Sequence, residues 1–461
     1  MDTRCSLVDF EEKRNMTPIQ RPQYKKYPKY RETGVEWLGE IPEHWKISKL
    51  KFITQINPEA LSEDTHPNYI IQYIDISNVD EIMGIGNNQE MTFENAPSRA
   101  RRIVRNGDTI VSTVRTYLKA VTHFEKAIKN QIVSTGFAVL RPKTIIFPKY
   151  LKWLVLSKGF IENIVLHSVG IGYPSINPSE LASLVAWVPP ISEQRAIANF
   201  LDRETARIDA LIAKYQRLIE LLEEKRISLI SRAVTKGLLP NSELKRSYNR
   251  YIDLIPNRWT GISLKRLVET KITDGHHETP EFLDSGIPFV SAEAVQKDHI
   301  NFDSKRGYIS EKLHHRYSDK LHPKRNDIFM VKSGATTGKL AIVDTDIEFN
   351  VWSPLTLIRA DNSKISTKYL FHALHAEYVQ NQVKQLWTQG TQPNISMGEI
   401  ENIFILVPPI SEQHTIIDFL DREIAHIDSM KEKLKSMLTK LQEYRSALIS
   451  AAVTGKIDVT K

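Results

Sequence analysis

The stretch VPPISEQ stands at Val188–Gln194 and again 219 residues later, at Val407–Gln413. The repetition continues without a gap: between Val188–Thr235 and Val407–Thr454, 26 of 48 aligned positions are identical, which marks an internal duplication. Weaker matches lie upstream at the same offset. Asp108 answers to Asp327, Lys149-Tyr150-Leu151 to Lys368-Tyr369-Leu370, and Pro174 and Ile176 to Pro393 and Ile395. At an offset of 214, Ile41-Pro42, Trp45, Leu50 and Lys51 answer to Ile255-Pro256, Trp259, Leu264 and Lys265. The chain therefore reads as variable domain, helix, variable domain, helix. Its expected bounds are 30–187, 188–240, 241–406 and 407–461, after a polar N-terminal extension, 1–29, that is open to disorder.

The strongly repeated part predicts a long helix. Pro189 and Pro190 close the preceding strand, Ser192 is the expected N-cap, acidic residues fall in the opening turns, and no Pro or Gly follows until Gly237. Ile208, Leu211, Tyr215, Leu218, Leu222, Lys225 and Leu229 step by three and four, as do Ile427, Met430, Leu434, Met437, Leu441, Tyr444 and Leu448. Such spacing is the seam of a coiled coil. Lys225 is its one polar member, a stem lying over apolar neighbours with its ammonium in water.

Length then decides how the helices pair. Residues 193–236 span about 65 Å as a helix, whereas a variable domain of about 170 residues is only about 40 Å across. The second variable domain starts where the first helix ends and ends where the second begins. Those two helix ends must be close, so the helices are expected to run antiparallel. The predicted fold is mixed α/β: two similar domains joined by an antiparallel coiled coil with an internal pseudo-twofold. Within the domains, β-rich runs (YIIQYIDI, DTIVSTV, GFAVL, IPFVS, DIFMV, LTLI) alternate with helical patterns at KYLKWLVLS and KYLFHALHAEYVQNQV.

A duplex with a dyad suits such an object, and the charge agrees. Lys+Arg 62 against Asp+Glu 55 leaves +7, an excess that favours a polyanion. Candidate DNA contacts are Arg99, Arg101, Arg102 and Arg105, with Arg115 and Lys119 of TVRTYLK, in the first domain. In the second they are Lys332, Ser333, Thr337 and Lys339 around SGATTGK. The repeated FLDRE offers candidate partner-binding residues at Asp202, Arg203, Glu204 and at Asp421, Arg422, Glu423.

Enzyme signatures fail one by one. GATTGK has one residue too few between its glycines for a phosphate loop, and Leu340 stands where Ser or Thr would bind magnesium. His276-His277 and His314-His315 lack a third ligand at useful spacing. Glu223-Glu224-Lys225 has the E-x-K of nucleases but lies in the helix, and no glycine-rich cofactor fingerprint is present. A methyltransferase Pro-Pro motif would need Asn or Asp before it and an aromatic after it; Val188 and Ile191 stand there. Cys5, the single cysteine, excludes a disulfide framework and fits a reducing cytoplasm. No run of about 18 apolar residues could span a membrane. No catalytic residue and no metal site is expected.

The order of parts, together with GVEWLGEIPEHW, TDGHHETPEF, GIPFVS and ALISAAVTGKI, resembles the DNA-specificity subunit of Type I restriction-modification enzymes, over about residues 30–461. The resemblance implies two target-recognition domains, each reading half of a bipartite site, held apart by the helices and serving phage defence through DNA methylation and restriction. It also implies two methyltransferase (modification) subunits and motor-endonuclease (restriction) subunits as partners, which carry S-adenosylmethionine, ATP and Mg; none is expected on this chain. Alternatives are the recognition part of another restriction-methyltransferase system and a stand-alone coiled-coil DNA-binding regulator. Two departures stand out: Met16 offers a second initiator, and the first domain has TVRTYLK in place of SGATTGK.

Overall fold

The computed structural model describes residues 24–80, 84–86, 88–170, 172, 174–240, 242–296, 298–387 and 393–460; Cys5 and Met16 lie outside them. The chain divides into two compact units, one made of residues up to Tyr215 together with Ser436–Lys461, the other of Gln216–Lys435. Every β-rich run named above contains a strand; KYLKWLVLS forms one helix, Pro148–Leu156, and KYLFHALHAEYVQNQV two, Thr367–His375 and Glu377–Gln385.

In the first unit one four-stranded sheet has the order Val121–His123, Thr109–Ser112, Phe137–Pro142, Thr54–Ile56. A second has Gln89–Thr92, Ile70–Ile74, Gln131–Ser134, Ala100–Ile103. All four residues of Thr109–Ser112 are buried, which is why this strand reads as an apolar run instead of alternating. Helix Pro148–Leu156 covers the first sheet, and strand Val185–Val188, paired antiparallel with Lys46–Lys49, leads straight into the prolines. Part of the expected N-terminal extension packs on this unit. Residues 24–29 belong to this unit: Lys25 bridges Asp458, Tyr27 packs on Trp45 and Tyr24 on Phe200. The apolar face of that segment is what the charge-rich composition of residues 1–29 concealed.

The second unit repeats the plan. A six-stranded sheet includes Leu355–Ile358, Ile328–Val331 and Leu340–Ile342, a three-stranded sheet centres on Ile287–Val290, and Phe404–Val407 pairs with Thr260–Ser263. Two buried ion pairs occupy matching places. Arg141 grips Asp108 through two nitrogens at 3.0 and 2.9 Å, and Arg359 grips Asp327 at 2.7 Å twice. Each aspartate also accepts the backbone N–H three residues before it, at 2.8 and 2.7 Å.

The long helices run Ile191–Lys236 and Ile410–Val453. Both begin one residue after the second proline, so Pro190, not Ser192, holds the N-cap place; Ser192 is exposed in the first turn. The last residue of VPPISEQ does the fastening. Gln194 is fully buried, accepts the N–H of Phe147 at 2.6 Å and donates to the carbonyls of Ile145 and Pro189. Gln413, also fully buried, accepts the N–H of Ser366 at 2.8 Å and donates to Lys364 and Pro408. One amide thus clamps the strand exit, the helix head and the turn before an earlier helix, Pro148–Leu156 or Thr367–His375.

Each unit includes the tail of a long helix whose head lies in the other unit. In the first, Tyr150 and Trp187 both donate to the Val453 carbonyl, and Gly455, at φ +71°, ends the helix where a Cβ would collide with Pro42 and Trp45. In the second, Tyr369 donates to the Val234 carbonyl and Gly237 ends the helix at φ +70°. Within each unit the two helical segments run antiparallel. The first has Glu193 bonded to the Trp45 that covers Gly455, and Asp209 bonded to Arg445. The second has Glu223 bonded to Lys431 and Gly237 beside Glu412.

The expected seam needs correction. Ile208, Leu222, Ile427 and Leu448 are buried, and Leu211, Tyr215, Leu229, Met430, Leu434 and Leu441 are half-buried. Leu218, Lys225, Met437 and Tyr444 are exposed. A helix of 3.6 residues per turn drifts about 20° per heptad from a 3.5 repeat, and the buried stripe moves to Ile212, Ile230, Val234, Ile449 and Val453. Its polar members are Arg445, bonded to Asp209 at 2.8 Å, and Arg226, bonded to Asp298.

Replacing Gln194 with Ala leaves the Phe147 N–H without its partner and is expected to cost about 2 kcal/mol, visible as a lowered thermal midpoint. Ser192→Ala, at an exposed site, is expected to stay within about 0.5 kcal/mol of wild type. Equal midpoints for the two variants would show that the amide holds nothing.

Candidate nucleic-acid interface

Strand Ala100–Ile103 and its flanks carry the first arginine group, and the structure divides it. Arg99, more than half exposed, pairs with Asp75 at 2.5 Å and donates to the Tyr73 hydroxyl. Arg101 lies over the Phe93 ring at 4.6 Å. Arg105 is exposed and paired with Glu59 at 2.7 Å. The same carboxylate takes Arg141, and hydrogen bonds from Arg105 and then Arg141 hold Glu59 down to about 2. Arg102 is a correction. It donates to Asn57 at 2.7 Å and to the Phe137 carbonyl, and burial lowers its pKa, so the guanidinium is bound inside the domain. Lys332 is another: only 14% exposed, it pairs with Asp274 at 2.8 Å, and Lys320 takes the other oxygen at 3.1 Å. The Thr-Asp-Gly-His-His run containing Asp274 is thereby tied to the loop of Lys332.

TVRTYLK and SGATTGK, unlike in letters, form the same loop. The N–H groups of Arg115 and Gly334, 219 apart, bond to the carbonyls of Pro174 and Pro393 at 2.7 and 3.0 Å, themselves 219 apart. Val114 bridges Ser175 as Ser333 bridges Asn394. Leu118 and Thr337 each close a turn onto the carbonyl three residues back, at 2.8 and 3.1 Å. Arg115 and Lys119 have φ of +51°, and their counterparts Gly334 and Gly338 have φ of +99° and +90°. The Thr337 hydroxyl is turned inward, donating to the Gly334 carbonyl at 2.7 Å, Ser333 is half-buried, and Lys339 is exposed.

FLDRE splits between two jobs. Asp202 accepts the Trp153 indole N–H at 2.9 Å and sits 3.4 Å from Lys149. Asp421 bonds Lys368 at 2.6 Å and lies 3.6 Å from His372, whose hydrogen bond, with that of Lys368, holds the carboxyl down to about 2. Both aspartates fasten a helix to its own unit. Arg203 and Arg422 point outward, 64% and 72% exposed, over Phe200 and Phe419, and beside Glu204 and Glu423.

The histidine pairs have local duties. His276 stacks on Tyr317 with ring centroids 3.7 Å apart, His277 bonds Asp274, and buried His314 bonds Asn350 at 2.7 Å. Among the described residues no group of three or more His, Cys, Asp or Glu could hold a metal ion, and no helix is long and apolar enough to cross a membrane.

A family model described as the Type I restriction modification DNA specificity domain matches twice, at residues 42–221 and 257–440. The chain belongs to this family. Each match holds one strand-to-helix joint and one of the two loops. Relatives include the EcoBI specificity subunit of Escherichia coli, 22% identical over 65% of this chain and 64% of that one, slightly under two thirds of the relative's length. The putative MjaX specificity subunit of Methanocaldococcus jannaschii is 24% identical over 95% of this chain and 98% of its own. The fold is also that of a chain in a solved structure described as the basis of complex assembly and conformational transition of the type I R-M system. That chain is 20% identical, with a TM-score of 0.71 and coverage of 90% of this chain and 99% of that one.

Two features of this specificity-domain chain escaped sequence reasoning. The clamp of Gln194 and Gln413 joins residues 47 apart in sequence, beyond any local pattern. Half-buried Arg226 and buried Arg445 carry a signal that was available, since they are identical at the 219 offset.

Charge reversal separates the two jobs of FLDRE. Asp202→Lys removes the acceptor of the buried Trp153 indole and is expected to cost about 1–3 kcal/mol, whereas Arg203→Glu is expected to stay within about 0.5 kcal/mol. Thermal melting of the two variants checks this; a folded Asp202→Lys protein with an unshifted midpoint would contradict the fastening role.

Proposed function

We propose that this chain is the non-catalytic DNA-recognition subunit of a Type I restriction-modification complex in the cytoplasm. Each unit reads one half of a bipartite site, and the two long helices set the unspecified gap between the halves. The observation that carries this is the pair of equivalent loops with different side chains. Two copies of one scaffold that differ at their exposed tips suit two half-sites of different sequence. Cations such as Arg99, Arg105 and Lys339 would hold phosphates and fix register, and base edges would be read by loop side chains.

Catalysis is assigned to partners. Two methyltransferase subunits carrying S-adenosylmethionine would flip a target adenine out of the stack on each side, because its amino group is otherwise enclosed by the duplex. Motor-endonuclease subunits carrying ATP and Mg would restrict unmodified DNA. With Asp202 and Asp421 engaged internally, Arg203, Arg422, Glu204 and Glu423 remain as the docking candidates of FLDRE for the two methyltransferases.

The test is to express the chain with its methyltransferase in a host without adenine methylation and to sequence the methylated adenines. A two-part motif with a fixed gap is expected. A chimera with residues 30–187 exchanged for those of a relative should change one half of that motif and leave the other and the gap alone. A single continuous motif, or a change in both halves, would refute two independent readers.

A further inference from the structure

In the first unit, the loop at 113–119 holds two features at odds with ordinary chain design. Arg115 and Lys119 both adopt the left-handed conformation, at φ +51°, which L side chains rarely enter. The matching loop of the second unit meets the same requirement with Gly334 and Gly338. Glycine is the unstrained solution, so a cation at both positions of one copy indicates that the side chains are used. Such outliers persist where the surroundings fix them, and they concentrate at binding sites. Here the surroundings do fix them: Arg115 N–H bonds to Pro174, Lys119 N–H to Thr116, and the Thr116 hydroxyl to Ser168 at 2.9 Å.

The second feature is apolar exposure at the same place. Tyr117 and Leu118, between the two cations, are 52% and 46% exposed, and Leu166 and Val169, beside Ser168, are 77% and 72% exposed. No acidic residue occurs in 109–124, 163–170 or 174–179, the described stretches around this loop. In the second unit, Thr336 and Thr337 replace Tyr117 and Leu118. A rigid tip with apolar side chains between two cations fits a nucleic-acid groove, where phosphates flank base edges and the thymine methyl offers an apolar contact.

We propose that the 113–119 loop is the element by which the first unit reads DNA, with Arg115 and Lys119 on phosphates and Tyr117 and Leu118 against base edges. This rests on the reading of the chain as a DNA-recognition subunit and names the residues that determine one half-site. The second unit's loop, with hydroxyls and glycines, reads its half by different chemistry.

The experiment uses the full chain co-expressed with its methyltransferase. Wild type must first give a two-part methylation motif; without one, the reading of the chain itself fails and the loop is not at issue. Given that motif, Leu118→Thr and Tyr117→Thr are expected to change or relax the first half-site while leaving the second unchanged. Lys119→Gly is expected to keep or raise the thermal midpoint, because it relieves the backbone. It should also weaken binding of the purified complex to DNA and reduce the salt slope of log K by about 1. An unchanged motif in both tip variants would overturn the proposal. So would a Lys119→Gly protein with a lower midpoint and an unaltered salt slope. Loss of methyltransferase co-purification by the tip variants, at an unchanged midpoint, would also overturn it and make the face a protein-docking surface.

Discussion

The last carbonyls of a helix have no partner within it, and here that shortage ties each unit together. Val453 and Val234, near the ends of the two long helices, point their carbonyls at tyrosine hydroxyls, Tyr150 and Tyr369, in the recognition domains. Trp187 adds a second donor to Val453. Around these contacts lie the largest apolar clusters, which join helix residues such as Leu448, Ala452 and Val453, or Ile230, Ala233 and Val234, to the domain cores. The second unit, Gln216–Lys435, is continuous in sequence, whereas the first is closed only with Ser436–Lys461 from the far end of the chain. Each holds one helix head and one helix tail; the second unit's tail lies just before it in sequence, the first unit's far after it.

The heads and tails do the same work twice, and that explains what sequence reveals. VPPISEQ repeats because Pro-Pro ends a strand, and Gln194 and Gln413 fill identical buried amide sites. Lys-Tyr-Leu repeats because its tyrosine meets the helix tail, and Asp108 and Asp327 repeat because each receives an arginine and closes a turn. The alternation of strands and helices was legible for the same reason: buried strands need apolar runs and the helices need a stripe.

What sequence hid was either long-range or disguised. The loop of the first unit carries none of the glycines that mark its twin, because Arg115 and Lys119 occupy the left-handed positions; letters alone therefore set TVRTYLK apart from SGATTGK. Charge also misled. Arg102, Lys332, Asp202 and Asp421 look like surface groups in a list of residues, yet each is engaged by a partner distant in sequence. The seam drifted because a regular count of three and four cannot register the slow rotation of a helix that finishes against a domain.

The clamp at the helix head has a genetic consequence. Since the two copies of VPPISEQ are identical, a crossover between their coding segments would delete 219 residues and join residue 187 to a head that fits it without change. The product would keep the first recognition domain and one helix, with its Gln clamp intact. It could not finish itself, because a helix of 44 residues places its tail about 65 Å from its head, and the domain needs both. Only by lending its tail to a second copy, and borrowing that copy's in return, could such a shortened chain satisfy Tyr150 and Trp187. Loss of half the gene would thus be expected to convert internal repetition into obligate homodimerisation, with two identical readers in place of two different ones.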